Sequence, residues 1–295
     1  GSNNVAVGLN ALDANTTGSS NVSVGSGALG ANTTANNNTA VGTSSLLANT
    51  TGTSNVALGT NALGANTTAS NNTGLGFRAL HVNTTGASNT AVGAVSLDAN
   101  TTGSFNTAMG VHALGDSTTG ASLTAVGYAA LDKNTTGDSN VAIGESALGA
   151  NTTASNNTAV GTSALLANTT GAYNIAIGTN AVDANTTANY NIGIGYNALT
   201  TEASGEKNVA IGHAALEDSN GGNFNTAVGY GSLRNSTTAD NNTAFGYHAL
   251  VTNTTAADNV ALGSNALAAN TTGPRNTALG AFALDANTTA ADNTA

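Results

Sequence analysis

A glycine returns every 17 residues along the whole chain: Gly8, Gly25, Gly42, Gly59, Gly76, Gly93, Gly110, Gly127, Gly144, Gly161, Gly178, Gly195, Gly212, Gly229, Gly246, Gly263 and Gly280. No interval differs, so no repeat carries an insertion or deletion. A fixed period of this size is the signature of a solenoid, in which each unit buries its apolar surface by stacking on its neighbours. Counted from this glycine as position 0, the unit runs Asn, a β-branched residue, Ala, an aliphatic residue, Gly, two variable positions, Ala and Leu. A loop of the form x-Ala-Asn-Thr-Thr-Gly-x-x closes it.

The columns of this internal alignment read as physical constraints. Position −3 is Val, Ile or Thr, as in Val5, Thr39, Ile175 and Thr277, and such stiff side chains favour a strand. Position −1 is apolar throughout, from Val7 through Met109 and Ile143 to Phe245, and position +4 is Leu with Val182 the lone exception. These two columns are the expected core. Position −2, between the two strand columns, never exceeds Ala or Ser in size, as Ala6, Ser23, Gly74 and Gly193 illustrate. Neighbours on a strand point to opposite faces, so both faces are restricted, which points to a second layer or a neighbouring chain.

The expected fold is therefore all-β: a parallel β-solenoid, or β-roll, of seventeen 17-residue coils, with residues 1–295 forming one continuous repeat array. At the inter-strand spacing of about 4.8 Å the coils would make a rod of roughly 80 Å. Gly1-Ser2 stands in register with Gly18-Ser19, and Asn293-Thr294-Ala295 opens another unit. The chain is thus expected to be a window from a longer array.

Composition narrows function. Charged residues make up 7% of the chain, with 15 acidic against 5 basic residues and a net charge of −10. No basic cluster exists to neutralise phosphates, so nucleic acid is not an expected partner. No run approaches the roughly 20 apolar residues that cross a bilayer, so no membrane insertion is expected in this segment. Catalysis needs unlike residues converging on a point, whereas His81, His112, His213 and His248 fall in different coils without an acidic pair. No enzyme activity and no cofactor is expected. Asp13, Asp98, Asp132, Asp183 and Asp285 share a column, which leaves structural calcium as a minor alternative, although the Gly and Asp pattern of calcium-binding nonapeptides is absent.

Asparagine occupies two columns, and their exceptions differ. At −4 stand Asn4, Asn21, Asn38, Asn55, Asn72, Asn89, Asn106, Asn140, Asn157, Asn174, Asn191, Asn208, Asn225, Asn242, Asn259 and Asn276, with Leu123 as the one replacement. An apolar replacement suits an interior site, so this column is expected to be a structural ladder of stacked amides. At +7 the replacements are Ser117, Glu202, Ser219 and Ser236. Glu is hard to place in a dry ladder, so this column is expected to face solvent. There Asn-Thr-Thr meets the acceptor rule for N-glycosylation at Asn15, Asn32, Asn49, Asn66, Asn83, Asn100, Asn134, Asn151, Asn168, Asn185, Asn253, Asn270 and Asn287. The competing reading is that Asn and Thr simply make good turns. Covalent glycans would hydrate a surface poor in charge, and the paired threonines offer O-linked positions as well. Aromatics after the glycine, at Phe77, Tyr128, Tyr196, Tyr230 and Tyr247, offer contact to sugar rings or a neighbouring rod.

The unit Asn-Thr-Ala-Val-Gly-x-x-Ala-Leu, seen from Asn157 to Leu165 and from Asn225 to Leu233, resembles the head repeats of trimeric autotransporter adhesins. It is closer still to the Asn-Thr-Ala-Leu-Gly and Asn-Thr-Thr-Gly arrays of bacterial surface and phage tail-fibre-like proteins. The sequon column is similar to that of glycan-coated environmental fibrils. The resemblance implies a parallel β-roll, three-fold assembly and an adhesive or fibrous role outside the cell. The function expected is an extracellular structural filament or fibre shaft glycosylated on its Asn-Thr-Thr turns. It would self-associate as a homo-oligomer, a trimer or a filament, at the cell surface or on a virion fibre. The alternatives are an adhesin or phage tail-fibre shaft whose tip engages a carbohydrate or host-surface receptor, and, third, an ice-binding solenoid.

Overall fold

The computed structural model describes residues 1–295 and is a parallel β-solenoid without helices. The chain divides into two compact units, residues 1–153 and 154–295. The first holds nine three-residue strands, from Val5–Val7 to Val141–Ile143, and the second eight, from Thr158–Val160 to Thr277–Leu279.

Within each unit a residue pairs with its equivalent one coil later. Val5 pairs with Val22, Ala6 with Ser23 and Val7 with Val24 in the first, and Thr226 with Thr243 in the second. The turns are stacked as strictly as the strands, with Leu63 N–H donating to Ala79 O and Thr84 N–H to Thr101 O, both at 2.9 Å. Equal repeat lengths make this register self-consistent, because a single insertion would displace every ladder in its coil.

The glycine that sets the period has two reasons to be glycine. Gly59 adopts φ 133, and a Cβ there would sit 2.5 Å from Gly76 O and 2.7 Å from Gly76 C in the next coil. The backbone conformation and the contact between coils each exclude a side chain. The corners fall at positions −5, +2 and +4, where non-glycine residues take the left-handed conformation, as at Asn61 (φ 59), Leu63 (φ 52) and Asn71 (φ 64). A left-handed leucine costs about 1–2 kcal/mol. Its complete burial, as at Leu46, Leu63, Leu80 and Leu97, contributes about 1.5–3 kcal/mol in return.

The core consists of this leucine column, the alanines of −2 and +3 such as Ala57 and Ala62, and the asparagines described below. The aliphatic column at −1, expected in the core, lies outside instead: Leu58, Met109, Ile143, Ile211 and Leu262 are 38–47% exposed. The reason is the thinness of the coil. A Cβ built on Gly74 would already lie 3.3 Å from Leu63 Cγ and 3.1 Å from Ala79 O, and one on Gly193 would lie within van der Waals overlap of Val182 Cγ2. The strand therefore turns its small column inward onto Leu, and Val, Ile, Leu and Thr outward.

Candidate functional site

The Asn-Thr-Thr turn, repeated along each unit, is where the candidate modification residues lie. Both asparagine columns shape it. At −4, each side chain clamps the following coil: Asn38 donates from Nδ2 to Gly52 O at 2.9 Å, and its Oδ1 accepts the Asn55 N–H at 2.9 Å. Asn21, Asn55, Asn72 and Asn89 repeat this bracket, and all are fully buried. Where Leu123 intervenes, its N–H still completes the bracket from below, donating to Asn106 Oδ1 at 2.9 Å, while its own side chain offers no amide to the coil above.

The column at +7 differs from expectation, because it is interior. Asn32, Asn49, Asn66, Asn83, Asn100, Asn134, Asn151, Asn168, Asn185, Asn253 and Asn270 are fully buried, and only the end members Asn15 and Asn287 are half-exposed. The nitrogen that would carry an N-linked sugar is committed twice: Asn32 Nδ2 donates to Asn15 Oδ1 at 3.0 Å and to Ala35 O at 3.2 Å. Ala35 O also accepts Asn21 Nδ2 at 2.9 Å, so the two columns converge on one carbonyl. A sugar on Asn32 Nδ2 would replace one of its two N–H groups, breaking one of these contacts, and has no space in the closed coil. The asparagine of the Asn-Thr-Thr sequon is here a member of the interior ladder.

Glu202 does not force its column outward, because the fold solvates it from within. This carboxylate is fully buried. Oε1 accepts the backbone N–H groups of Gly205, of Ser204 at 3.2 Å and of Gly221 at 2.8 Å, and Oε2 accepts the Ser219 hydroxyl at 2.6 Å. Three amides and a hydroxyl replace the water that a buried carboxylate otherwise demands. Ser219, one coil on, is the small residue that makes room. Below this site the ladder ends, since Asn185 Oδ1 has no donor, and it ends likewise at Asn100 Oδ1 beneath Ser117.

Of the two threonines, the first is structural: Thr50 Oγ1 donates to Thr67 O at 3.1 Å and Thr101 Oγ1 to Thr118 O at 3.0 Å. The second, at +9, is exposed in every coil that has it, from Thr17 and Thr34 to Thr272 and Thr289.

A second exposed feature belongs to residues 173–248. Tyr196, His213, Tyr230 and Tyr247 stack ring on ring at 5.2, 4.9 and 5.6 Å, and His248 lies 4.0 Å from Tyr247. Tyr173 and Tyr190 stack likewise at 5.2 Å, and Lys207 Nζ stands 5.0 Å from the Phe224 ring centre. Two of the four histidines thus share one ring stack, although they fall in different coils. The signal is present in the sequence as aromatic residues 17 positions apart. His81 meets Asn61 O at 3.1 Å, and His112 is exposed. No group of three or more His, Cys, Asp or Glu side chains is placed to hold a metal ion. Lys133 stands 2.9 Å from its neighbour Asp132 and 3.0 Å from Asp116 one coil below, whose hydrogen bonds, Asp132 first, hold its ammonium above the ordinary lysine range.

No protein-family model matches the chain. Nor does any curated protein match its sequence.

Proposed function

We propose that this chain is the shaft of an extracellular or surface-displayed fibre, with a structural role. The observation that carries the reading is the outward strand face. Within each unit, columns −3 and −1 present Val, Ile, Leu and Thr to solvent, with Val56 at 41%, Ile177 at 39% and Leu262 at 47% exposure. Contiguous apolar surface beyond a few hundred Å² marks an interaction site. A face built from the same two columns in every coil suits self-association of copies into an oligomer or filament. The interior ladders support the same reading, since they commit the polar side chains of each coil to holding the next coil in register.

The test is localisation of the protein on intact native cells or particles by immunogold electron microscopy. Gold aligned along surface fibres is the expected result, and a soluble monomer confined to the cell interior would sink the reading.

A second reading, an adhesive shaft, is favoured by the exposed ring stack of Tyr196, His213, Tyr230 and Tyr247. Its rings lie against one another and its tyrosines are 46–51% exposed, a surface suited to contact with a carbohydrate or a receptor protein. Loss of cell or glycan adhesion on Tyr230→Ala, with the fibres intact, is the result that would favour it.

A further inference from the structure

We infer that the second threonine of the turn is the acceptor of an O-linked glycan. This rests on the proposed surface-fibre role, and it moves the attachment point from asparagine to a hydroxyl.

Three observations converge. The first is elimination within the triplet: the asparagine at +7 is buried with its nitrogen committed, and the first threonine donates its hydroxyl to the next coil. Only the second threonine, Thr51 in Asn49-Thr50-Thr51, is exposed.

The second is that the hydroxyl at +9 has no structural task. Thr17, Thr34, Thr51, Thr68 and their equivalents make no side-chain hydrogen bond within the chain, in contrast to the column beside them.

The third is what the seventeen coils permit. Equally exposed columns have diverged freely: position −5 holds Asn3, Ser20, Phe105, Tyr173, Lys207 and Asp258, and position +1 holds Leu9, Thr43, Phe77, Glu145 and His213. Position +9 holds Thr in every coil except for Ser204 and Gly221. Shape alone would admit Val or Ile, and polarity alone would admit Asn, Asp or Lys, yet none occurs. A hydroxyl is being kept where the fold does not need one, and a hydroxyl is the group that O-glycosylation consumes.

The reaction is a glycosyl transfer from an activated sugar phosphate, carried on a nucleotide or a lipid. Thr Oγ1 forms a bond to the anomeric carbon, and the bond from that carbon to the phosphate oxygen breaks. The phosphate leaves with the electron pair, and the hydroxyl proton passes to a base on the transferase. Within each unit successive acceptors are about 4.8 Å apart, close to the width of one sugar ring, so the sugars would form a continuous row.

The experiment uses full-length protein from the organism that makes it, with glycopeptides sequenced by electron-transfer fragmentation. Sugar mass is expected on Thr34, Thr51 and Thr68 and not on Asn32, Asn49, Thr33 or Thr50. Bare turns, or sugar on asparagine, in protein taken from surface fibres would overturn this inference while leaving the fibre role standing. Protein confined to the cell interior with bare turns would overturn both. In the same host, Thr51→Val should lose the sugar of that one turn and Thr51→Ser should keep it, with the melting temperature of the deglycosylated protein unchanged in both. A fall in that temperature with Val alone would show that the hydroxyl is structural, and the inference would fail.

Discussion

Asn49 donates from Nδ2 to Oδ1 of Asn32, one coil below, at 3.2 Å, and both side chains are fully buried. The same nitrogen donates to Gly52 O at 3.0 Å, and Asn49 Oδ1 accepts Asn66 Nδ2 at 3.1 Å. Replacing Asn49 with Ala strands a carbonyl below and a donor above, each a buried polar group without its partner. A loss of about 2–4 kcal/mol follows. Hydrogen exchange should show it as faster exchange of the Asn49–Ala69 amides, with coils several repeats away unchanged. Protection indistinguishable from the parent would mean that the ladder contributes nothing.

Gly59→Ala and Gly64→Ala separate the two kinds of glycine in the repeat. At Gly59 a Cβ meets the backbone of Gly76 at 2.5–2.7 Å and φ is 133. At Gly64 it meets the side-chain ring of His81 at 3.0 Å and Asn61 O at 3.3 Å, and φ is not positive; Ala268 fills the equivalent site in the coil of Gly263. Gly59→Ala should cost at least about 2 kcal/mol and Gly64→Ala less than about 1 kcal/mol. Urea denaturation of the two variants side by side measures the difference, and equal midpoints would contradict the stacking argument.

Which parts of this architecture the sequence discloses follows from how local each cause is. The constant interval between glycines is a direct record of parallel, in-register stacking, so the solenoid and its strands are legible in the order of residues alone. The sidedness of the strand is not. Leu58 and Ala57 are adjacent, and only the closeness of the leucine column behind the sheet decides that Ala faces in. The left-handed leucines are equally silent, because no intrinsic preference of Leu announces φ near 50. At +7 the exception points the wrong way. Glu202 implies solvent, whereas its four donors come from Ser204, Gly205, Ser219 and Gly221, residues whose convergence appears only when two coils are stacked.

That convergence predicts coupling between Glu202 and Ser219. Glu202→Asn alone withdraws the carboxylate from Ser219 Oγ and Gly221 N–H, and should destabilise by about 2–3 kcal/mol. Adding Ser219→Asn rebuilds the regular amide ladder between neighbouring coils, so the double variant should recover at least half of that loss. A double-mutant cycle by chemical denaturation reads this coupling, and strictly additive effects would show that the two positions are independent.

Asp183 is the opposite case, a carboxylate whose compensation is incomplete. Its Oδ1 is buried without a hydrogen-bond partner, and burial pushes its pKa above the ordinary carboxylate value despite hydrogen bonds from the backbone of Ala184 and Asp183. Between the ordinary and the raised pKa the folded chain binds more protons than the unfolded chain, so this group's contribution to stability falls as pH rises through that window. Asp183→Asn should therefore raise the melting temperature at neutral pH and flatten its dependence on pH in the acid range. A lower melting temperature at neutral pH would show that the charged form is favoured instead.

The outward strand face gives the last prediction. Ile177 and Ile211 are 39% and 38% exposed on the same column of residues 154–295, two coils apart. A lysine at either place can keep its stem against the sheet and its ammonium in water, so Ile177→Lys with Ile211→Lys should leave the stability of the isolated chain within about 1 kcal/mol of the parent. The same two charges would be buried if this face meets another copy, where a charge without a partner is strongly disfavoured. Sedimentation velocity should then show the parent associating with rising concentration and the double variant remaining monomeric. If parent and variant sediment alike, the aliphatic face is not where copies meet.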